Sequence, residues 1–146
     1  PSPTSSAAMD IDAPFLTAAA FRFEAARGVR HSSFETEFIA DAELTTVPPD
    51  DLAQTLWHWL ATEGADSPLR GSAYWALGKR RDPRDVAPLV AALRRELPRD
   101  ADVAYQILIA LEDLGEPVFP PEQRERSSRD HELNRAAALR YLGSRP

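Results

Sequence analysis

The chain has 146 residues, which is enough for one domain with a sizeable core. It contains no cysteine, so disulfides and thiolate metal sites are excluded. The net charge of −6 is unevenly placed: residues 1–67 carry 11 acidic and 3 basic side chains, and residues 68–146 carry 12 and 14. An acidic first half disfavours nucleic acid as a partner, because phosphate binding needs a basic surface.

No apolar run approaches the ~18 residues of a membrane span, and no secretory signal is visible, so we expect a cytoplasmic protein that does not bind membranes. Its bases are almost all arginine, and alanine and proline are abundant, which favours a bacterial source with a GC-rich genome. Residues 1–10 are small and polar and are interpreted as a disordered tail or an expression remnant. Residues 11–146 are predicted to form a single helical domain.

The first elements are a helix, an ambiguous segment and a second helix. Apolar spacing predicts a helix over 15–27. In the segment 33–46, Phe34 and Phe38 alternate with polar residues as in a short strand, but an irregular acidic connector fits the composition equally well. Pro49 then begins a helix that extends to about residue 62.

Three further helices follow over 69–78, 85–97 and 101–114, separated by short turns that contain aspartate and proline. The third is apolar on nearly every side, which is typical of a helix buried on several sides. We therefore expect it at the centre of the core, with Ile107 and Leu111 almost fully buried.

A Pro-rich, charged loop over 116–128 precedes the last predicted helix, at about 129–142. Ser127 or Ser128 is the expected cap of that helix. The predicted fold class is therefore all-α, with about six helices.

One stretch has a recognisable order: Arg-x-x-Ala-x-x-Ala-Leu-Gly, an Asp-Pro turn, then Val-x-x-Leu-Val-x-x-Leu. The residues that carry it are Arg70, Ala73, Ala76, Leu77, Gly78, Asp82, Pro83, Val86, Leu89, Val90 and Leu93. This pattern resembles a HEAT repeat of the phycobilisome-lyase type, and partial copies of its first helix occur at 103–115 and 134–143.

The resemblance implies a short right-handed α-solenoid of HEAT-like helical hairpins. Such repeats serve many functions, so it points first to a non-enzymatic scaffold that binds another protein, such as an adaptor or an immunity-type protein. Two alternatives remain: an accessory to a chromophore-attaching lyase, and a HEAT-like nucleic-acid-binding protein, which the acidic charge disfavours.

We find no residues that indicate catalysis, a cofactor or a metal. No serine stands in a nucleophile-elbow context, and no Gly-rich phosphate loop is present. His131-Glu132 is a single His-Glu pair, whereas HEAT-like hydroxylases bind two irons through several pairs. We therefore expect no enzyme activity, no cofactor and no metal site.

The candidate partner-binding residues are aromatic side chains and arginines: Trp57, Tyr74, Trp75, Arg84, Arg94, Arg95 and Arg99. Tryptophan, tyrosine and arginine commonly dominate binding energy at protein interfaces. The arginines are included because the second helices of such repeats usually line the concave surface. Trp75 falls opposite the apolar stripe of its helix, so either the N-terminal segment covers it or it contacts a partner. Arg70 is expected to be semi-buried and paired with Asp82 or Asp113.

Overall fold

The computed structural model describes residues 11–62, 66–121 and 130–145, which places the predicted tail at 1–10 outside the described residues. The secondary structure of these ranges is helical and contains no strand, which confirms the all-α part of the predicted fold class. They contain seven α-helices, where about six were predicted. The helices are α1 (Ala13–Ala26), α2 (Ser33–Asp41), α3 (Pro49–Thr62), α4 (Ser67–Lys79), α5 (Val86–Glu96), α6 (Ala101–Asp113) and α7 (His131–Gly143), with a 3-10 turn at Pro83–Asp85 before α5.

Helix α2 replaces the strand or connector expected over 33–46. The Ser32 side chain accepts a hydrogen bond from the Glu35 amide, and the Glu35 carboxylate accepts one from the Ser32 amide. This reciprocal pair satisfies two amide donors at the start of a helix. Phe34 and Phe38 then lie one turn apart, with ring centroids at 5.3 Å. The alternation of these residues therefore reflects helical stacking.

Helices α1, α4 and α6 run in the same direction, with α4 in the middle. A Cβ on Gly71 would lie 3.4 Å from Gln106, and a Cβ on Gly78 would lie 2.8 Å from Ala110. Residue numbers therefore increase in the same direction along both helices, so α4 and α6 are parallel. The C-terminal ends of α1 and α4 also meet, because Arg27 beyond α1 donates to the carbonyl of Lys79 at 2.8 Å.

Helix α7 is parallel to α6. His131 lies 3.3 Å from Asp102 at the beginning of both helices, and the Tyr141 hydroxyl donates to Glu116 at 2.7 Å beyond the end of α6. The cap of α7 is Asp130, whose side chain accepts from the Leu133 amide. The predicted serine caps, Ser127 or Ser128, lie outside the described residues.

Helices α3 and α5 run opposite to α4. Asp50 at the beginning of α3 and Asp85 at the beginning of α5 both contact Arg80 at the end of α4. Arg70 at the beginning of α4 contacts Glu96 at the end of α5. Direction therefore alternates along the chain from α3 to α6, as in two successive helical hairpins.

The core consists of two apolar clusters that meet at α4. One cluster is formed mainly by α1, α3 and α4, and the other by α5, α6 and α7 together with Tyr74 of α4. Ile107 and Leu111 are each 0% exposed, as predicted. The expectation that α6 occupies the centre is wrong, because α4 is the helix that both clusters share.

Candidate protein-binding surface

A buried ion pair joins α4 to α5. Arg70 donates from Nε and Nη2 to the two carboxylate oxygens of Glu96, each at 3.0 Å, and its Nη2 lies 3.6 Å from Asp100. Both Arg70 and Glu96 are buried. The predicted partners Asp82 and Asp113 are wrong, because the antiparallel course of α5 brings its last turn to the first turn of α4.

A second ionic cluster closes the turn between α4 and α5. Arg80 donates to the buried carboxylate of Asp85 at 3.2 Å and also lies 3.1 Å from Asp82. Trp57 donates its indole N–H to Asp85 at 3.4 Å. Burial raises the pKa of Asp85, and the Arg80 charge opposes that rise. The cluster therefore fixes α3, α4 and α5 together.

Arg84 is exposed but its charge is compensated. Its guanidinium donates to Asp82 at 2.6 Å and to Asp50 at 3.0 Å. The hydrogen bond from Arg84 lowers the pKa of Asp82 to about 2. Although predicted as a partner contact, Arg84 belongs to the ionic cluster of the turn.

The outer side of α5 and the turn after it carry a basic ridge, defined here as Arg94, Arg95 and Arg99, all of which are exposed. The acidic residues of this segment, Asp85 and Glu96, are buried and bonded to Arg80 and Arg70 of α4. No carboxylate of α5 therefore offsets the ridge at the surface.

The three ridge arginines have different surroundings. Burial raises the pKa of the Tyr74 hydroxyl, and the nearby Arg95 guanidinium opposes that rise. Arg99 lies 3.8 Å from Glu96. Arg94 has no ion-pair partner among residues 11–62, 66–121 and 130–145. Arg94 therefore presents its charge to solvent most freely.

Two of the predicted aromatic contacts are internal. Tyr74 is only 2% exposed, so its assignment as a partner contact is wrong. Trp57 is half-buried, with its ring centroid 6.1 Å from that of Tyr74 and its N–H directed at Asp85. Both rings lie where α3 and α5 close over α4, which a helical wheel of one isolated helix does not reveal.

Trp75 is half-buried and lies between the N-terminal segment and a surface groove. One part of its side chain packs against the cluster that contains Phe15 and Phe23 of α1, as expected for cover by the N-terminal segment. Trp75 also lines a groove of about 440 Å³ between the first halves of α4 and α6. Gly71 and Gln106 contribute to the same groove. The Lys79 ammonium lies 5.6 Å from the Trp75 ring centroid.

The sequence analysis did not identify Glu96 and Asp85 as the carboxylates that pair with Arg70 and Arg80. Glu96 falls on the apolar stripe of α5, three residues after Leu93, and a charge on a buried face implies a buried partner. Asp85 gives no comparable signal, because an aspartate at a helix start ordinarily serves as a surface cap.

Within the described ranges, no group of three histidine, aspartate or glutamate side chains is placed to hold a metal ion. No helix there has the length and apolar character needed to cross a bilayer. Comparison of the chain with protein-family models, curated proteins and solved structures gives no match.

Proposed function

We propose that the chain is a short right-handed α-solenoid of HEAT-like repeats that binds another protein without catalysing a reaction. The partner docks on the basic ridge of α5 and presents an acidic surface to it. The observation that carries this proposal is the uneven charge on the two sides of α5. Its carboxylates are buried and paired with Arg70 and Arg80, whereas its arginines are exposed to solvent.

The arrangement of the helices supports the repeat architecture. In a stack of helical hairpins, the first helices of successive repeats run parallel and each second helix returns antiparallel. Helices α4 and α6 have the first relationship, and α5 has the second. Helix α7 continues the parallel series beside α6. In this proposal, α5 is a second helix, and its outer side forms the binding face.

The charge distribution supports an acidic partner. The chain as a whole carries a net charge of −6, so a positive ridge on it is a local exception. Complementary charge steers association and is screened by salt when the charges are exposed. An acidic protein would meet the ridge favourably and would be repelled by the acidic remainder of the molecule.

The test is co-purification from the natural source with tagged wild-type protein and with Arg94→Glu. The proposal predicts one stoichiometric acidic protein with the wild type, with retention that falls as salt rises. Reversal of the Arg94 charge is expected to weaken binding by about tenfold or more. Arg30→Glu makes the same charge change at an exposed position in the loop after α1 and is expected to leave binding within about twofold.

Three results would contradict the proposal. The first is a partner retained equally by wild type and Arg94→Glu. The second is equal loss of binding with both charge reversals, which would indicate net charge rather than a surface. The third is turnover of a substrate by the purified chain.

A further inference from the structure

A histidine lies at the junction of α1 and α2, away from the surfaces described above. His31 belongs to the loop between the two helices, and only 6% of its side chain is exposed. Its ring packs against that of Phe21 of α1, with the two centroids 5.3 Å apart. A ring this deeply covered needs partners for its nitrogens within the protein, because unpaired polar atoms are costly to bury.

The polar partners of the His31 ring among the described residues are all oxygens that accept hydrogen bonds. Nδ1 lies 3.3 Å from Oε2 of Glu35 in the first turn of α2. Nε2 lies 3.1 Å from the backbone carbonyl oxygen of Phe21 and 3.6 Å from Oε1 of Glu24, both in α1. The ring therefore connects the two helices, one through each nitrogen.

These partners favour the doubly protonated ring. A neutral imidazole carries one proton and has a lone pair on its other nitrogen, whereas the imidazolium donates from both nitrogens. In the neutral form, one nitrogen would direct its lone pair at an oxygen of either Glu35 or Phe21, and that contact would become repulsive. The carboxylates of Glu24 and Glu35 also attract the positive charge of the imidazolium.

The basic residues near the ring have other partners or face solvent. Arg22 of α1 lines the same shallow cavity of about 230 Å³ as His31. Its Nε, however, donates to the carbonyl oxygens of Leu44 and Val47, at 3.0 and 3.2 Å. Arg30 adjoins His31 in the chain and is exposed. The carboxylates are therefore the charges that contact the ring.

Glu35 remains ionised over the pH range in which histidine titrates. Its Oε1 accepts from the Ser32 amide at 2.8 Å, which leaves Oε2 for His31. Hydrogen bonds from Ser32 lower the pKa of Glu35, and the charge of His31 lowers it further. Histidine ordinarily takes up its proton near pH ~6.5, far above the range in which Glu35 is protonated.

Helix α2 has little else to hold it in place. It packs against α1, and Ile39 is the one buried side chain among its nine residues. The Phe38 ring meets that of Phe21 edge-on, with the centroids 5.8 Å apart. An element that buries so little apolar surface opens locally at low cost. The bridge through His31 is therefore a large part of what keeps α2 against α1.

We propose that His31 is a pH-sensitive clamp between α1 and α2. Below about pH 6 the doubly protonated ring bridges the Phe21 carbonyl and the Glu35 carboxylate, and α2 is held against α1. Above about pH 7 the ring releases one proton to solvent, one of the two contacts is lost, and α2 separates more often.

The sign of the effect follows from the form of the ring that the docked helix prefers. Because docking favours the charged ring, its contribution to stability is present at acid pH and is lost as the pH rises. Separation of α2 uncovers Ile39 and the side of α1 beneath it. The clamp is independent of the basic ridge, since it lies between α1 and α2 and needs no partner.

The test is amide hydrogen exchange of the full chain from about pH 5.5 to about pH 8, with each rate divided by the intrinsic rate at that pH. Protection of the α2 amides is expected to fall about threefold to tenfold as the pH rises, which is the loss of one hydrogen bond. His31→Gln cannot take up the proton and is expected to abolish this dependence. His58→Gln, at an exposed position of α3, is the matched control and is expected to retain it.

A neutral side chain at Glu35 tests the bridge itself. Glu35→Gln keeps an oxygen for the Ser32 amide, so the start of α2 is preserved, but it removes the charge that faces His31. This variant is expected to reduce the pH dependence, whereas Glu37→Gln, at an exposed position of α2, is expected to leave it unchanged.

Nitrogen NMR of the wild-type imidazole rings gives a direct measurement that needs no variant. The His31 ring is expected to be doubly protonated at acid pH and to lose one proton over the same range in which α2 loses protection. A His31 ring that keeps one protonation state throughout would overturn the proposal. So would wild-type α2 protection that does not change with pH, or a pH dependence that persists in His31→Gln.

Discussion

Gly78 determines how closely α4 and α6 approach each other. A Cβ at this position would lie 2.8 Å from the Cβ and 2.9 Å from the Cα of Ala110, and the backbone atom cannot move aside easily. Alanine favours a helix over glycine by about 1 kcal/mol, but overpacking a core costs about 1–3 kcal/mol. We expect Gly78→Ala to lower the free energy of unfolding by up to about 2 kcal/mol in urea titrations.

Gly71 provides the matched control on the same helix. Its Cβ would lie 3.4 Å from Cγ of Gln106, a flexible side chain at the wall of the groove. Gly71→Ala is therefore expected to be neutral or to stabilise the fold by up to about 1 kcal/mol. Equal effects of the two substitutions would show that Gly78 is not a contact point between helices.

The Arg70–Glu96 pair makes a prediction about buried charge. Arg70→Leu leaves the Glu96 carboxylate buried without its bidentate donor, and loss of one partner of a buried pair typically costs about 3–5 kcal/mol. Replacing both residues by leucine removes the unpaired charge and is expected to recover most of that loss. Thermal or urea unfolding of the two variants measures it, and equal destabilisation by the single and double changes would contradict this reasoning.

Asp82 makes the stability of the fold depend on acid pH. Its folded-state pKa of about 2 lies below its ordinary value of 3.8, so the unfolded chain binds more protons between these values. The contribution of Asp82 is therefore present above about pH 4 and is lost as the pH falls toward 2. We expect Asp82→Asn to destabilise the protein at pH 5 and to have little effect at pH 2. Asp41→Asn, on the exposed end of α2, controls for the loss of one surface carboxylate.

At the scale of elements, the apolar period identified most helices correctly but failed at α2. The apolar period of a helix reflects the face that it buries against neighbouring elements. Helix α2 buries only Ile39, so its apolar pattern is weak. The helix is instead initiated locally, by the reciprocal Ser32–Glu35 cap. Serine followed three residues later by glutamate is readable in a sequence, and it would have distinguished helix from strand.

The burial of α6 predicts its contribution to stability. Ile107 and Leu111 are fully buried, and replacing either by alanine is expected to cost about 2–5 kcal/mol through lost transfer energy and a cavity. Val29→Ala, at an exposed position after α1, is expected to cost less than about 0.5 kcal/mol. A loss below about 1 kcal/mol at both core positions, measured by urea unfolding, would mean that α6 relaxes to fill the cavity.

At the scale of the whole molecule, fold class was predictable from the sequence, and the surface was predictable only in part. The exposed arginines of α5 follow from their polar positions on a helix with a strong apolar stripe. Tyr74 and Trp57 were misplaced because one helix's pattern does not say which neighbours cover its edges. The parallel order of α4, α6 and α7 depends on contacts between distant residues, which local spacing does not encode.

The direct test of the central claim is site-specific photo-crosslinking in the natural source. A photoreactive amino acid at Ala91, exposed on α5 one turn before Arg95, is expected to give one dominant adduct with an acidic protein. The same group at Ala40, exposed on α2, is the matched control and is expected to give none. An adduct at Ala91 that disappears when Arg94→Glu is added would support docking on the basic ridge. Equal adducts at both positions, or an Ala91 adduct that persists in that variant, would contradict it.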